Sequence, residues 1–253
     1  MGFVMGPAIA GLTISWGPRA PGLVAAAISF ASFCLAWIKL PETRVHRPLE
    51  PTTLAHDWRR LAAPYAVMFL VVLAFTVMHV VFPLYSIRVL GHDQRTTSYF
   101  FVLIGLVSAL IQGWLIGKLT RHFSEHALMI AGGLFLALGL ALIPVTQSAP
   151  VPANLHLAGL TGALILIACG TGLAMPSIAG FVSRVTPAFR QGIALGTLQS
   201  IGSVARIVGP LMTGFLTEVS GERTPFVVAA GIALAGMVVA AVLRETGTVN
   251  SEQ

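Results

Sequence analysis

The sequence predicts an all-α membrane protein with eight transmembrane helices, and three observations predict this fold class. Hydrophobic residues make up 56% of the 253 residues and charged residues only 9%, against about 25% charged in a typical soluble domain. The mean hydropathy is +0.86. The charges also divide the chain into apolar stretches, most of which approach the ~20 residues that a bilayer-crossing helix needs. Each stretch is expected to be helical, because lipid leaves the backbone groups of an open strand or loop unpaired.

The scarcity of charge excludes several other classes of protein. An ordinary soluble enzyme and a disordered protein both carry more charged residues than this chain. The 15 Lys and Arg residues are too few and too scattered for the basic patch of a nucleic-acid-binding protein. Cys34 and Cys169 lie in separate apolar runs, so a disulfide framework is not expected. His122 and His126 are interpreted as part of a solvated loop, and we expect no metal and no cofactor.

Taken in order along the chain, the apolar stretches predict eight spans. The first, residues 1–16, is shorter than a full crossing. A charge-free run of 58 residues begins at His126, and its polar, proline-bearing stretch 146–156 divides the run into two spans. The seven spans that follow the first are residues 22–40, 61–87, 98–117, 127–145, 157–182, 193–216 and 225–243.

Lys and Arg residues in alternate loops predict the orientation, because cytoplasmic loops carry the excess of positive charge. Ten of these residues fall on one side and four on the other, and only Arg206 lies within a span. The side with ten contains the hydrophilic linker 44–60 and the tail 247–253, so both are expected in the cytoplasm. We therefore expect a multi-pass protein of the cell (inner) membrane, with the lipid bilayer as a partner and a cytoplasmic C-terminus.

An internal repeat relates the two ends of the chain. Residues 2–11 read GFVMGPAIAG and residues 205–214 read ARIVGPLMTG, at an offset of 203. Two further pairs of segments follow in the same order. RAPGLVAA, which begins at Arg19, matches RTPFVVAA, which begins at Arg223, at an offset of 204. LPET, which begins at Leu40, matches LRET, which begins at Leu243, at an offset of 203. The first pair of segments shares a Gly-Pro dipeptide and a later glycine. Gly6, Pro7 and Gly11 align with the identical residues Gly209, Pro210 and Gly214.

The repeat predicts the domain organisation. Since the first two spans correspond to the last two, the repeat unit is a six-helix bundle, as in transporters with two like halves. Residues 1–43 are then the last two helices of an incomplete N-terminal bundle, and 44–60 form the central linker. Residues 61–246 form a complete C-terminal bundle, and 247–253 a tail. We expect the reading frame upstream of Met1 to encode the four remaining helices.

A glycine-rich motif near the N-terminus resembles one of the major facilitator superfamily. Gly2, Gly6, Pro7 and Gly11 are similar to the GxxxGPxxGG motif on the fifth helix of its drug/proton antiporters, with Ala10 in place of the penultimate Gly. In that family the motif is taken to seal a helix interface against ion leak. The resemblance implies the same role here.

A short loop and two spans extend the resemblance over the chain. The loop GKLTRHFSEH is similar to the family's second GxLxDRxGR loop; Gly117, Leu119 and Arg121 fit it, while Ser124 and His126 depart from it. Two stretches are similar to the tenth and eleventh helices of tetracycline-resistance-like exporters: residues 176–192 and 191–210.

The resemblance implies a twelve-helix fold, of which the eight spans are helices 5–12. It implies a secondary transporter, not an enzyme, that exports small amphipathic molecules by alternating access. Protons are the candidate coupling ion. Substrate is expected to bind among the seventh, eighth, tenth and eleventh helices of the parent fold, which correspond to residues 61–87, 98–117, 157–182 and 193–216.

Arg206 is the most informative residue in the spans, because a charge at the bilayer centre costs about 3 kcal/mol. Gln199, Ser203, Arg206 and Pro210 follow the spacing of one helical face. Two interpretations are open. The stripe lines the substrate pathway, or Arg206 pairs with a helix C-terminus or another polar group in the bundle.

His79 and Gln112 are further candidates for the substrate pathway, each with packing as the alternative. His79 is the one that could titrate near neutral pH. No Asp or Glu lies inside a predicted span, so a proton-coupling carboxylate is expected in the missing helices unless His79 takes its place. Gly209 and Pro210 allow bending and close packing, although such pairs also form ordinary kinks.

Two rival functions are less compatible with these patterns. A non-transporting membrane scaffold or partner subunit is the main alternative, but such a protein has no reason to begin in the middle of a repeat. An intramembrane enzyme would need a paired Ser and His, or paired carboxylates, at one depth. The spans contain one deep His and no deep acid.

Overall fold

The structure is a computed structural model, which describes residues 13, 16–17, 19–39, 58–146 and 153–242. The side chains of residues 58–59 and 153–154 are not described. The motif residues Gly2, Gly6, Pro7 and Gly11 therefore lie outside the described residues, as do most of the linker 44–60 and the whole tail 247–253.

The regular structure within these ranges is entirely helical. A π-helical turn, Ile111–Leu115, joins the fourth helix to the fifth, and a short 3-10 turn, Ala188–Arg190, precedes the eighth. In chain order the helices are α1 Ala20–Lys39, α2 Trp58–Phe75, α3 Val77–Arg88, α4 Gln94–Leu110, α5 Ile116–Leu119, α6 Glu125–Val145, α7 Ala153–Val185, α8 Gln191–Ser220 and α9 Thr224–Val242.

Six helical segments of the described chain are long and apolar enough to cross a membrane. α2 and α3 join into one such segment, and α4, the π turn and α5 into another. The six are Ala20–Lys39, Arg60–Arg88, Gln94–Leu119, Glu125–Val145, Leu155–Val185 and Thr224–Val242. α8 is 30 residues long but is not among them, and the predicted span 1–16 lies almost wholly outside the described residues. The count of eight therefore stays a prediction.

Several helix ends differ from the predicted span ends. α7 begins at Ala153, so His156, which was expected in the polar connection 146–156, is helical. α6 begins at Glu125 and α8 continues to Ser220, which places Glu125 and Glu218 in terminal turns of these helices. Side-chain caps fix two helix starts, that of α4 by Asp93 and that of α6 by Ser124. Ser124 accepts a hydrogen bond from the backbone N–H of Ala127 and thereby caps α6.

A large hydrophobic core joins most of the helices between residues 58 and 242. Its most deeply buried large side chains come from α3, α4, α6, α7 and α9, and include Phe82, Tyr85, Ile104, Leu136 and Phe226. α6 and α7 make the most extensive contact, and α9 packs against both α6 and α2. α1, in contrast, contains no buried residue.

Glycines bring α6 and α7 unusually close together. A Cβ atom at Gly132 would lie 2.7 Å from the backbone nitrogen of Ala174, and one at Gly139 would lie 2.7 Å from the carbonyl oxygen of Ala163. Real Cβ atoms do not approach other atoms this closely. Small residues at such contacts are typical of membrane helices, whose association relies on close packing instead of hydrophobic burial.

Asp93 caps α4, and we expect this cap to weaken in acid. Its carboxylate accepts hydrogen bonds from Thr96, whose backbone N–H lies 2.9 Å away, and hydrogen bonding from Thr96 lowers the pKa of Asp93. Because the folded-state pKa is depressed, the stabilisation is present above the pKa of the unfolded chain and is lost as the pH falls through the folded-state value. The protection of the Thr96 and Thr97 amides against hydrogen exchange, taken relative to their intrinsic exchange rates at each pH, should therefore fall at low pH.

The matched variant for this prediction is Asp93→Asn, which keeps a capping oxygen but cannot titrate in this range. Exchange at the start of α4 should lose its acid dependence in Asp93→Asn, once the intrinsic exchange rate is corrected for. An unchanged acid dependence in this variant would show that another group controls the helix start.

Candidate functional site

A cavity of about 500 Å³ lies at the middle of the helices. Four segments contribute residues from near their midpoints, including Thr76, Ser108, Thr171 and Arg206. The complete lining is Val72, Phe75, Thr76, His79, Val80, Gly105, Ser108, Ala109, Gln112, Thr171, Met175, Arg206 and Pro210. Apolar side chains thus surround a small number of polar groups, as in sites for small molecules.

The contact between α8 and the break separating α2 from α3 forms one side of the cavity. A Cβ atom at Gly209 would lie only 2.5 Å from Cγ2 of Thr76, so glycine is required for this contact. Pro210 has no N–H to donate to the carbonyl of Arg206 four residues earlier. Three residues further on, the Thr213 hydroxyl donates to a different carbonyl, that of Gly209, at 2.8 Å. α8 is therefore both closely packed and locally short of backbone hydrogen bonds beside the cavity.

Arg206 lies at the centre of the 30-residue α8. Its side chain is exposed and lines the cavity, and its Nη2 would lie 3.9 Å from a Cβ atom at Gly202. In the described part of the chain, the ion pairs join other residues: Arg88 with Glu222, and Arg184 with Glu125. The structure thus places Arg206 in the cavity and gives it no carboxylate partner among the described residues. This arrangement favours the first of the two sequence interpretations, in which the stripe lines the substrate pathway.

His79 lines the same cavity, and the positive charge of Arg206 acts on it. Its ring packs edge-on against Phe75, another lining residue, with 5.1 Å between ring centroids. Two basic groups, one permanent and one titratable, therefore share one space.

Gln112 reaches the cavity from the π turn. Such a turn adds a residue to the helical circuit and often occurs at functional sites. Ile111, the residue before Gln112, is buried in a small cluster with Leu128 and Leu173, and its side chain packs against Gly172. The π turn thereby buries Ile111 and leaves Gln112 exposed to the cavity.

Three hydroxyl groups of the cavity lining donate to helix carbonyls. Thr76 donates to Val72 at 2.9 Å, and Thr171 donates to Ile167 at 3.0 Å. Ser108 donates across to Ala168 at 3.3 Å. Their oxygen lone pairs remain available as acceptors for a ligand.

The remaining residues predicted to have a role lie away from the cavity lining. Gln199 and Ser203 are exposed on α8, where the Ser203 hydroxyl donates to the carbonyl of Gln199. A Cβ atom at Gly214 would meet open space. The loop residues lie at the end of α5 and in the following turn, with Leu119 half-buried and two residues exposed: Gly117 and Arg121.

Polar contacts join the helix ends on both sides of the bundle. At one end Arg184 of α7 pairs with Glu125 of α6, and Nε2 of His126 lies 2.7 Å from the carbonyl oxygen of Ala240 in α9. At the other end Nη1 of Arg88 lies 3.6 Å from Oε1 of Glu222. Of the two histidines expected in a solvated loop, His122 lies exposed in the turn after α5, whereas His126 is half-buried in the first turn of α6. Among the described residues, neither belongs to a group of three or more His, Cys, Asp or Glu that could hold a metal ion.

Six membrane-length helical segments in the described part of the chain, with a mainly apolar cavity at their centre, define this chain as a polytopic membrane protein. The sequence model of the Major Facilitator Superfamily matches residues 1–210 and 153–253. The chain belongs to this superfamily, whose members are transporters and not enzymes. The predicted all-α membrane fold and the predicted family are thereby confirmed.

Two curated relatives are drug-resistance proteins. The chain is 24% identical to "Quinolone resistance protein NorA" of Staphylococcus aureus (strain MSSA476), an alignment that covers 96% of this chain and 62% of NorA. It is 28% identical to "Tetracycline resistance protein, class E" of Escherichia coli, covering 87% of this chain and 55% of that protein. The chain therefore spans roughly three-fifths of the length of the curated relatives that it matches.

A solved structure shares the fold. The crystal structure of the human organic anion transporter MFSD10 (TETRAN) superposes with a TM-score of 0.64 at 22% identity. The superposition covers 76% of this chain and 43% of the human protein. At this level of identity the likeness establishes the fold alone.

Proposed function

We propose that the chain forms part of a secondary transporter that exports small amphipathic molecules by alternating access. The observation that carries the proposal is the central cavity, whose apolar lining contains Arg206, His79 and Gln112. A charged group at this depth is energetically costly unless it faces a water-filled cavity, as along a ligand pathway, or is paired. The names of two relatives, which describe quinolone and tetracycline resistance, support an exported substrate.

The architecture that we propose has eight spans equivalent to helices 5–12 of the superfamily fold. Residues 1–43 supply the last two helices of the N-terminal bundle, 44–60 the linker and 61–246 the C-terminal bundle. The cavity is lined from within residues 61–246, on the predicted substrate-binding spans. The excess of Lys and Arg on one side supports a cytoplasmic C-terminus.

Alternating access in this proposal is the rocking of two bundles about the cavity. The Gly209–Pro210 pair suits such motion, since Pro210 leaves α8 without one backbone hydrogen bond there and so allows the helix to bend. Protons are the candidate coupling ion. His79 is the titratable group in the cavity lining, so proton coupling uses His79 or a carboxylate contributed from outside the described residues.

Cysteine accessibility tests the cavity directly. In a background of Cys34→Ala and Cys169→Ala, Ser108→Cys places a thiol in the cavity lining and Leu138→Cys places one on the outer, exposed face of α6. A cysteine attacks a methanethiosulfonate as its thiolate and expels methanesulfinate, and apolar surroundings suppress formation of the thiolate. We expect a small, water-soluble methanethiosulfonate to modify the Ser108→Cys variant at least about tenfold faster.

Equal, slow modification of both thiols would contradict the transporter proposal and would favour a packed membrane scaffold. Selective protection of the thiol of Ser108→Cys by an added amphipathic compound would support a ligand site in the same cavity. The reaction is measured by mass spectrometry on the protein in lipid nanodiscs.

A further inference from the structure

The charges around the cavity have one sign. Arg206 carries a permanent positive charge, and His79 carries a second one when it is protonated. None of the residues that line the cavity is an Asp or a Glu. The cavity that the structure describes therefore carries one or two positive charges and no compensating carboxylate.

The described carboxylates are committed elsewhere or lie too far away. Asp93 caps α4, while Glu125 pairs with Arg184 and Glu222 pairs with Arg88, each pair at the ends of the helices. Glu218 lies on α8 itself, but it follows Arg206 by 12 residues, which is ~18 Å along a helix. Among the described residues the guanidinium at the centre of the helices thus has no carboxylate partner, so it can pair with a group that enters the cavity.

The other polar groups extend this preference. The Gln112 amide adds donors beside the cavity, while the Ser108 hydroxyl, which already donates to Ala168, offers an acceptor. Phe75 and Met175 supply apolar surface in the same lining. A matching ligand has an apolar body and one negatively charged group.

We infer that the cavity selects amphipathic molecules that carry an anionic group, which Arg206 binds by charge-assisted hydrogen bonds while the apolar lining holds the body. This inference rests on the proposed function and specifies its substrate class. A planar guanidinium offers paired N–H donors suited to carboxylate or sulfonate oxygens. Lipophilic cations of similar size are disfavoured, because they would enter the cavity against the charge of Arg206.

Two dyes that share one aromatic skeleton test the inference. 8-Anilino-1-naphthalenesulfonate carries a sulfonate, and N-phenyl-1-naphthylamine lacks it and is uncharged. Their binding to the 253-residue chain is measured by equilibrium dialysis in nanodiscs of zwitterionic lipid, with empty nanodiscs subtracted. The variants are Arg206→Gln and Arg206→Lys. Arg95→Gln is the control, because it removes an equal charge from an exposed site at the start of α4.

We expect the sulfonate dye to bind the unmodified chain more tightly than the neutral dye. Arg206→Gln should weaken its binding by roughly tenfold to a hundredfold, the range of a charge-assisted hydrogen bond. Arg206→Lys should retain part of the affinity. The neutral dye should change by less than about threefold in every variant, which also shows that the cavity is intact.

The outcomes separate this inference from the proposed function. Binding of both dyes with no preference for the anion, or an unchanged affinity of the anion in Arg206→Gln, would overturn the substrate class and leave the cavity in place. An equal loss in Arg95→Gln would show that the net charge of the protein, and not Arg206, attracts the anion, and would also overturn it. If neither dye bound the unmodified chain, both the ligand cavity and the substrate class would be contradicted.

Discussion

Replacing Gly170 by leucine is expected to prevent the bundle from folding stably. A Cβ atom at this position would lie 2.5 Å from the backbone nitrogen of Leu136 and 2.8 Å from the carbonyl oxygen of Gly132. Both atoms belong to the backbone of α6, which cannot move without separating from α7. Since these helices make the most extensive contact in the bundle, the cost should exceed the ~3 kcal/mol of ordinary overpacking.

Gly162 provides the matched control for this prediction. It lies on the same helix, α7, and a Cβ atom there would meet open space. Gly162→Leu should leave the thermal unfolding temperature in detergent close to that of the unmodified chain, whereas Gly170→Leu should aggregate or elute as misfolded protein. Gly170→Ala gives the graded case, with a clearly lowered unfolding temperature. Similar unfolding temperatures for Gly170→Leu and Gly162→Leu would show that α6 and α7 do not pack as described.

The helices were predictable from the sequence because a membrane-spanning helix requires a long run of apolar residues, which is visible in the sequence alone. Each predicted span from 22–40 onward contains or overlaps a helix, and the charges mark their ends. The break at Thr76 and the π turn beginning at Ile111 were not predictable. Both depend on neighbours distant in the chain: Gly209 packs against Thr76, and Gly172 packs against Ile111. Local composition does not encode such contacts.

The candidate site was predictable only where a residue is costly in lipid. Arg206, His79 and Gln112 stand out in apolar spans for that reason, and all three line the cavity. Thr76 and Ser108 were missed, because a hydroxyl can bond to a helix carbonyl and so leaves no energetic signal in the sequence.

The polar stripe on α8 shows a second limit of sequence reasoning. Helical spacing places Gln199 and Ser203 on the same face as Arg206, yet neither of them lines the cavity. Spacing identifies a face of a helix, but it does not tell how far along that face a cavity extends. That extent depends on how the other helices pack against the face, as Met68 does near Gly202 and Thr76 does near Gly209.

Arg206→Ala is expected to abolish transport while the protein remains folded and inserted. In the pathway interpretation the guanidinium contacts the transported molecule. Its loss should therefore reduce the efflux rate by about a hundredfold, which is near the upper end of the effect of one charged hydrogen bond. Removal of a charge that pairs with no described carboxylate should leave the unfolding temperature unchanged or higher. Efflux is measured in vesicles from cells that carry the whole natural reading frame, with Arg95→Ala as the control.

The same variant separates the two interpretations that the sequence left open. If Arg206 instead stabilised the bundle through a buried pair, removing it would strand a buried partner and cost about 3–5 kcal/mol, so the unfolding temperature would fall together with transport. Full efflux by Arg206→Ala would contradict the pathway role outright. Lost efflux with an unchanged unfolding temperature is the combination that only the pathway interpretation predicts, because a structural pair cannot be broken without a loss of stability.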